Sequence, residues 1–138
     1  MSFSLILLAA GNSDRFKSKI PKPYHKLGGK TLLEISLAKF KEFKEIKKIA
    51  VVINKNHKKY LSNNRIENVK FIIGGNTRSK STYNALKFLI NYKNLKNVLI
   101  HDAARPNFST NLLKRIVKQL KFNNSVVPVI NPNDSVKY

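Results

Sequence analysis

Short runs of almost purely apolar residues recur along this chain, and the stretches between them have helical periodicity. The runs are Ser4–Ala9, Ile49–Ile53, Val69–Ile73, Val98–Ile100 and Ser125–Ile130. Each has the length of a strand, and none is long enough for a buried helix. A strand with one wet face alternates polar and apolar residues, whereas one covered on both faces need not. Between the runs, Thr31–Phe43 places Leu32, Ile35, Leu37, Phe40 and Phe43 near one stripe. Ser79–Tyr92 does so with Leu86, Leu89 and Ile90, and Thr110–Phe122 with Leu112, Leu113, Ile116, Val117 and Leu120. His57–Leu61 reads as a short helix, and Thr31 with Glu34 three residues on forms a capping-box start. Alternation of strand and helix predicts an α/β fold: a Rossmann-like, mostly parallel sheet with helices on both faces. In such folds ligands bind at the carboxyl ends of the strands, beside the loops that follow them.

Composition removes several classes of chemistry. The 138 residues suffice for one domain. With no cysteine, disulfides, thiolate catalysis and cysteine-ligated metal centres are excluded. His25, His57 and His101 are too scattered for metal-ligand spacing. The apolar run Leu5–Ala10 lacks a basic leader and falls well short of the ~20 residues of a membrane span, so a soluble, cytoplasmic protein is expected. Lys and Arg number 27 against 7 Asp and Glu, a net charge of +20. Such a balance favours anionic partners. The lysines are spread along the chain with many asparagines and isoleucines, and no aromatic-interleaved basic stripe accompanies them. Drift in composition together with phosphorylated small-molecule substrates therefore explains the charge better than nucleic-acid binding does.

Three loops fall where chemistry is expected. The first, Leu8-Ala9-Ala10-Gly11-Asn12-Ser13-Asp14-Arg15-Phe16 and then Ile20-Pro21-Lys22-Pro23, follows the first strand. Small residues there let backbone N–H groups approach phosphates, and Arg15 and Lys22 add positive charge. A tight turn with solvated charges is the plainer alternative. A dinucleotide fingerprint fails because Ser13 and Phe16 replace its later glycines. Gly29-Lys30-Thr31 mimics the tail of a P-loop, but Tyr24 stands where its first glycine belongs. The second loop, Gly74-Gly75-Asn76-Thr77-Arg78-Ser79-Lys80-Ser81, can pack backbone against a flat base, while Ser79 or Ser81 can equally cap the next helix. The third, His101-Asp102-Ala103-Ala104-Arg105-Pro106, places an aspartate at a strand end, suited either to Mg²⁺ or to an ion pair with Arg105.

Taken in order, LAAGNSDRF…PK, GGNTRSKS, HDAARP and a final NDSVK resemble the 2-C-methyl-D-erythritol 4-phosphate cytidylyltransferases, with HDAARP the most specific of the four. The resemblance covers essentially the whole chain and implies a fold of the nucleotide-diphospho-sugar transferase type. It further implies transfer of CMP from CTP to methylerythritol phosphate with release of pyrophosphate and with Mg²⁺ as cofactor, in non-mevalonate isoprenoid synthesis. By the same resemblance, Arg15 and Lys22 are the catalytic pair at the α-phosphate, and Ala9, Ala10, Gly11 and Asn12 line the triphosphate. Gly75, Asn76 and Ser81 lie at cytosine and ribose, Ala103 lies by the nucleotide, and Asp102 holds the metal. Arg105 and Ser135 contact the acceptor phosphate.

This chain departs from the family at a few of these positions. Ser13 stands where the family often has glycine, Asn76 where aspartate is common, and Ser135 where threonine is common. Ala10 and Ala104 favour methylerythritol phosphate over ribitol 5-phosphate, the alternative acceptor along with other sugar phosphates. Family members are longer, so the resemblance implies a truncated domain in which residues 134–138 begin a dimerisation arm, and a homodimer for the complete enzyme. The chain is then a fragment, one piece of a split gene, or the front of a fused enzyme, and an inactive nucleotide-binding remnant is the further alternative.

Overall fold

β1 (Phe3–Ala9) is the most deeply buried segment, with Phe3, Leu5, Ile6 and Leu7 wholly shielded from solvent. Its hydrophobicity without alternation demands cover on both faces and a neighbour along each edge. A computed structural model of the chain describes residues 2–13, 17–61, 68–92 and 97–131. It divides into two compact units, Met1–Pro106 and Asn107–Tyr138. No helix among the described residues is long and apolar enough to cross a membrane.

In the first unit, β1 is followed by the short strands β2 (Lys26–Leu27) and β3 (Lys30–Thr31), then α1 (Leu32–Lys41) and β4 (Ile46–Ile53). β5 (Val69–Ile73), α2 (Arg78–Leu89) and β6 (Asn97–Asp102) complete it. The main sheet has the order β5-β4-β1-β6, and all its pairings are parallel. The chain therefore steps outward from β1 through β4 to β5, then returns to the other side of β1 with β6. That reversal opens a crevice beyond the carboxyl ends of β1 and β6.

The ladder register fixes which residues share a face. Ile6 lies opposite Ala50 and Ile100, and Leu7 opposite Val51 and His101. On one face Ile6, Ala50 and Val52 pack with Ala85 and Leu89 of α2. On the other, Phe40 of α1 meets the His101 ring edge-on, with centroids 5.2 Å apart. Helices thus cover both faces, as the alternation predicts. α1 begins with the expected capping box: the Thr31 hydroxyl accepts from the Glu34 N–H at 3.1 Å, while the Glu34 carboxylate accepts from the Thr31 N–H at 2.7 Å.

Several details differ from the sequence reading. α2 is capped by Thr77, whose hydroxyl accepts from the Lys80 N–H, and neither Ser79 nor Ser81 serves. Its buried face runs through Ser81, Ala85 and Leu89, four residues apart, whereas Leu86 and Ile90 are exposed. Small residues occupy the start of this face, where a Cβ on the neighbouring Gly74 would come within 2.7 Å of the Ser81 hydroxyl, and Leu89 completes it. The segment expected to form a short helix at His57–Leu61 is a 3-10 helix over Lys55–Tyr60. Gly29-Lys30-Thr31 belongs to the β2–β3 hairpin, where Gly28 and Gly29 have φ of 58° and 81°, as a two-residue primed turn requires.

In the second unit, α3 (Thr110–Gln119) is capped by Ser109, whose hydroxyl accepts from the Leu112 N–H. Ser125–Ile130, expected to be the last strand, forms no strand, and Val127, Val129 and Ile130 are 77%, 85% and 92% exposed. β-Branched residues suit a strand, but a strand exists only where a partner supplies the ladder, and none pairs with these residues among those described.

Gly74 and Gly11 separate what the fold requires from what it merely permits. A Cβ on Gly74 would lie 2.7 Å from the Ser81 hydroxyl, 2.8 Å from the Ala10 methyl and 3.1 Å from Val52, while one on Gly11 would meet nothing within 4 Å. Gly74→Ala should therefore destabilise the chain by ~1–3 kcal/mol in urea titrations, as overpacking does. Gly11→Ala should stay within about 1 kcal/mol of wild type. Equal losses at the two positions would refute the distinction.

Candidate active site

Four strand ends converge on one cleft of about 890 Å³, within the size range of small-molecule sites. Leu8–Ser13 come from the end of β1, Asn54 from β4, Gly75–Arg78 and Ser81 from β5 and the start of α2, and Asp102, Ala104 and Arg105 from β6. Lys22 and Pro23 close one side. Of the residues singled out in the sequence, Ala9, Ala10, Gly11, Asn12, Lys22, Gly75, Asn76, Ser81, Asp102 and Arg105 all line this cleft. Ala103 does not: it is wholly buried, its N–H donates to the Leu8 carbonyl at 2.8 Å and its carbonyl accepts from the Ser36 hydroxyl at 2.9 Å. Arg15, Ser135 and the segment 134–138 lie outside the described residues.

The first loop is shaped by Ser13. Its φ of 61° is left-handed, the conformation that glycine adopts without strain. Its hydroxyl accepts from the Lys22 N–H at 2.9 Å, which draws the far arm of the loop toward the cleft. Serine thus keeps the backbone shape of a glycine and adds a cross-loop hydrogen bond. Lys22 opens a 3-10 turn, Lys22–Tyr24, flanked by buried Pro21 and Pro23. Proline fixes φ on both sides of Lys22, limiting where its backbone can go.

Behind that turn, Tyr24 stacks on Tyr60 with centroids 5.1 Å apart and an interplanar angle of 24°, and meets His57 edge-on at 5.5 Å. This aromatic trio ties the Lys22 turn to the 3-10 helix after β4. Burial, and then neighbouring Tyr60, push the Tyr24 phenol up to about 12. Burial, and then Lys59, lower the pKa of His57. The His57 Nδ1 is buried without a hydrogen-bond partner, which suits a neutral ring.

The second loop is closed by Ser81. Its hydroxyl accepts from the Gly75 N–H at 3.1 Å, so it holds the glycine turn from within, and the side chain is buried. Asn76 is exposed at the cleft. In the third loop, the Arg105 N–H donates to the Asp102 carbonyl at 3.1 Å, and His101 Nε2 donates to the Arg105 carbonyl at 2.8 Å. From α1, Lys39 Nζ donates to the Pro106 carbonyl at 2.9 Å.

Two residues passed over in the sequence reading belong to the site. Asn54 lines the cleft and donates to the Asn12 side-chain carbonyl at 3.0 Å, linking the ends of β4 and β1. Arg78 opens α2 and places Nη2 3.2 Å from Asp102 Oδ1, while Arg105 Nε lies 3.3 Å from Oδ2. Arg78 sits inside the GGNTRSKS motif, and its charge beside a glycine turn was the available signal. Asn54 carried none beyond its place directly after a strand. Asp102 is the one acidic side chain among the described residues that line the cleft, against the cations Lys22, Arg78 and Arg105. The ion pairs are largely exposed, so each contributes only ~0–1 kcal/mol to stability.

A parallel sheet whose order reverses beside a cation-rich cleft is the architecture of α/β proteins that bind nucleotides at a switch point. Residues 3–138 match the family described as 2-C-methyl-D-erythritol 4-phosphate cytidylyltransferase, and the chain belongs to that family of CTP-dependent nucleotidyltransferases. It is similar to the bifunctional enzyme IspD/IspF of Pelagibacter ubique, 49% identical over 99% of this chain and 37% of that protein. It is 34% identical to the 2-C-methyl-D-erythritol 4-phosphate cytidylyltransferase of Thermosipho melanesiensis, over 96% of this chain and 60% of that one. The solved bifunctional IspDF of Campylobacter jejuni superimposes with a TM-score of 0.83 at 31% identity, covering 100% of this chain and 36% of that structure. The chain thus spans between 36% and 60% of the length of these relatives.

His57 gives a pH prediction. The unfolded ring titrates near 6.5 and the folded ring lower, so between the two values the unfolded state binds more protons. The stabilising contribution is complete above about 6.5, declines as pH falls through that value, and is gone below the folded pKa. Denaturant titrations across this window should show the loss, and His57→Phe should flatten it. An unchanged slope would assign the acid sensitivity to other groups.

Proposed function

We propose that this cleft binds CTP and transfers its CMP moiety to 2-C-methyl-D-erythritol 4-phosphate, releasing pyrophosphate. The observation that carries this reading is the gathering of ten motif residues from three separate loops around one cation-rich cleft at the switch point. Membership in the cytidylyltransferase family supplies the reaction. In-line transfer at a phosphorus requires positioning and stabilisation of charge on the phosphoryl oxygens more than covalent help from the protein. Lys22, braced by two prolines and the aromatic trio, is suited to hold a fixed positive charge there, with Arg15 from the same loop as its partner. Ala9, Ala10, Gly11 and Asn12 offer a small-residue wall to the triphosphate, and Gly75 with Asn76 a surface for the base. Ser81 acts on the base through the Gly75 turn it holds, and Ala103 through the loop it anchors.

The residues present suit Mg²⁺ in one form. Mg²⁺ is commonly held by one or two carboxylates together with substrate phosphates, and Asp102 offers one carboxylate at the cleft. Bound there, the ion would neutralise phosphate charge. Arg105 is suited to the acceptor phosphate, as Ser135 is by family resemblance. A homodimer and a cytoplasmic location complete the proposal, both on family resemblance. Ribitol 5-phosphate is the competing acceptor.

The test is pyrophosphate release by the 138-residue chain with CTP, Mg²⁺ and each acceptor in turn, with CTP binding measured alongside. Expected from the 138-residue chain is CTP binding that ATP and GTP do not displace at equal concentration; release that requires methylerythritol phosphate would show in addition that the chain holds the acceptor half. Release with ribitol 5-phosphate instead would reassign the acceptor. CTP binding without release with either acceptor would mark this chain as a nucleotide-binding unit. Wherever release is measurable, Lys22→Ala should slow it roughly 10²–10³-fold and alter CTP affinity far less, the signature of a group acting in the transition state. An unchanged rate would remove Lys22 from that role.

A further inference from the structure

One carboxylate at the cleft is shared by two arginines. Arg78 takes Asp102 Oδ1 and Arg105 takes Oδ2, so each oxygen has its own guanidinium. The two cations come from different walls: Arg78 from the first turn of α2, beyond the Gly74–Gly75 turn, and Arg105 from the loop after β6. Their side chains are 66% and 76% exposed, and that of Asp102 is 34% exposed. Ion pairs so open to water do little for the fold, and little opposes their exchange for another anion. A guanidinium grips phosphate with the same forked geometry with which it grips carboxylate. With Lys22 also lining the cleft, three cations face a single acidic side chain among the described lining residues. Two guanidinium groups thus share one carboxylate, and a polyphosphate offers further oxygens of the kind they grip.

We propose that Asp102 is an internal counter-anion, holding Arg78 until a polyphosphate takes it over and Arg105 until the acceptor phosphate does, and that Arg78 is a positioning residue in this exchange. Polyphosphate binding and the freeing of the Asp102 carboxylate are then one event. The proposal rests on the reading of the cleft as a triphosphate site. Linkage makes the coupling reciprocal. A divalent cation that occupies Asp102 releases the arginines for phosphate, and phosphates that engage the arginines raise the affinity of Asp102 for a cation. Without a cation, Asp102 restrains anion binding. Loss of any carboxylate beside an anion site eases anion binding, so the mark of the counter-anion is that the gain depends on Arg78, the guanidinium it holds.

The experiment is calorimetric titration, in chelator and therefore without divalent metal, of inorganic tripolyphosphate and separately of CTP into the 138-residue chain. Wild type is compared with Asp102→Asn, Arg78→Gln and the double variant. Asp102→Asn should bind tripolyphosphate on the order of 5–150-fold more tightly than wild type, the usual range for coupled sites. The double variant should lose most of that gain, and Asp102→Asn with Arg78→Lys should keep part of it. The lysine variant also serves if glutamine disturbs the start of α2. Unchanged tripolyphosphate affinity in Asp102→Asn overturns the proposal, as does a gain that persists in full in the double variant, or binding undetectable in every form. The two ligands keep the readings apart. Should tripolyphosphate show this behaviour while CTP has no preference over ATP or GTP, the counter-anion role stands and the cytidine reading falls. A CTP preference without it leaves the cytidine reading and removes the counter-anion.

Discussion

Burial of β1 on both faces is the constraint from which the rest of the first unit follows. A strand with no polar face cannot lie at a surface, so it takes β4 on one edge and β6 on the other, with α1 and α2 over its faces. Once β1 is central, the chain must cross over it to place β6, and the crossing leaves a crevice at the carboxyl ends. The residues that directly follow β1, β4, β5 and β6 then meet there. The cleft is in this sense a by-product of hydrophobic burial, and its chemistry comes from what the loops carry.

Around that cleft the residues divide into those that hold and those that face outward. Ala103, Ser36, Ser81 and Gly74 are buried or closely packed and fix the loops from behind. Gly11, Asn12, Asn76, Arg78 and Arg105 are exposed and meet the cleft. Ser13 belongs to both groups, with a left-handed backbone that shapes the turn and a hydroxyl that holds the Lys22 N–H. A shell of this kind lets the exposed residues exchange partners without cost to the fold.

The parallel strands were legible because each holds an apolar run; burial explains it in β1 and β4, whereas the sheet-edge strands β5 and β6 have no buried residue and are less covered than their composition implies. α1 was legible because Thr31 and Glu34 cap it by local chemistry. What escaped depends on tertiary partners. Ser125–Ile130 has strand composition but no ladder, and Leu86 and Ile90 have helical spacing but face solvent, because the face that meets the sheet runs through Ser81, Ala85 and Leu89. Most of the site was legible because its residues stand in motifs next to strand ends. Ala103 read as a ligand neighbour because a motif does not say which of its members points inward. Arg78 and Asn54 escaped because their importance lies in what they touch, Asp102 and Asn12, residues distant in sequence.

The aromatic trio behind Lys22 has an optical consequence. The chain contains five tyrosines and no tryptophan, so its ultraviolet emission is that of phenol rings, with no indole to dominate it. Two of these rings, Tyr24 and Tyr60, are stacked at 5.1 Å, close enough to share excitation, and Tyr24 directly follows two residues that line the cleft. Any ligand that shifts the Lys22 turn changes the overlap of these rings. The chain thus carries an intrinsic spectroscopic reporter beside its site, with no label added.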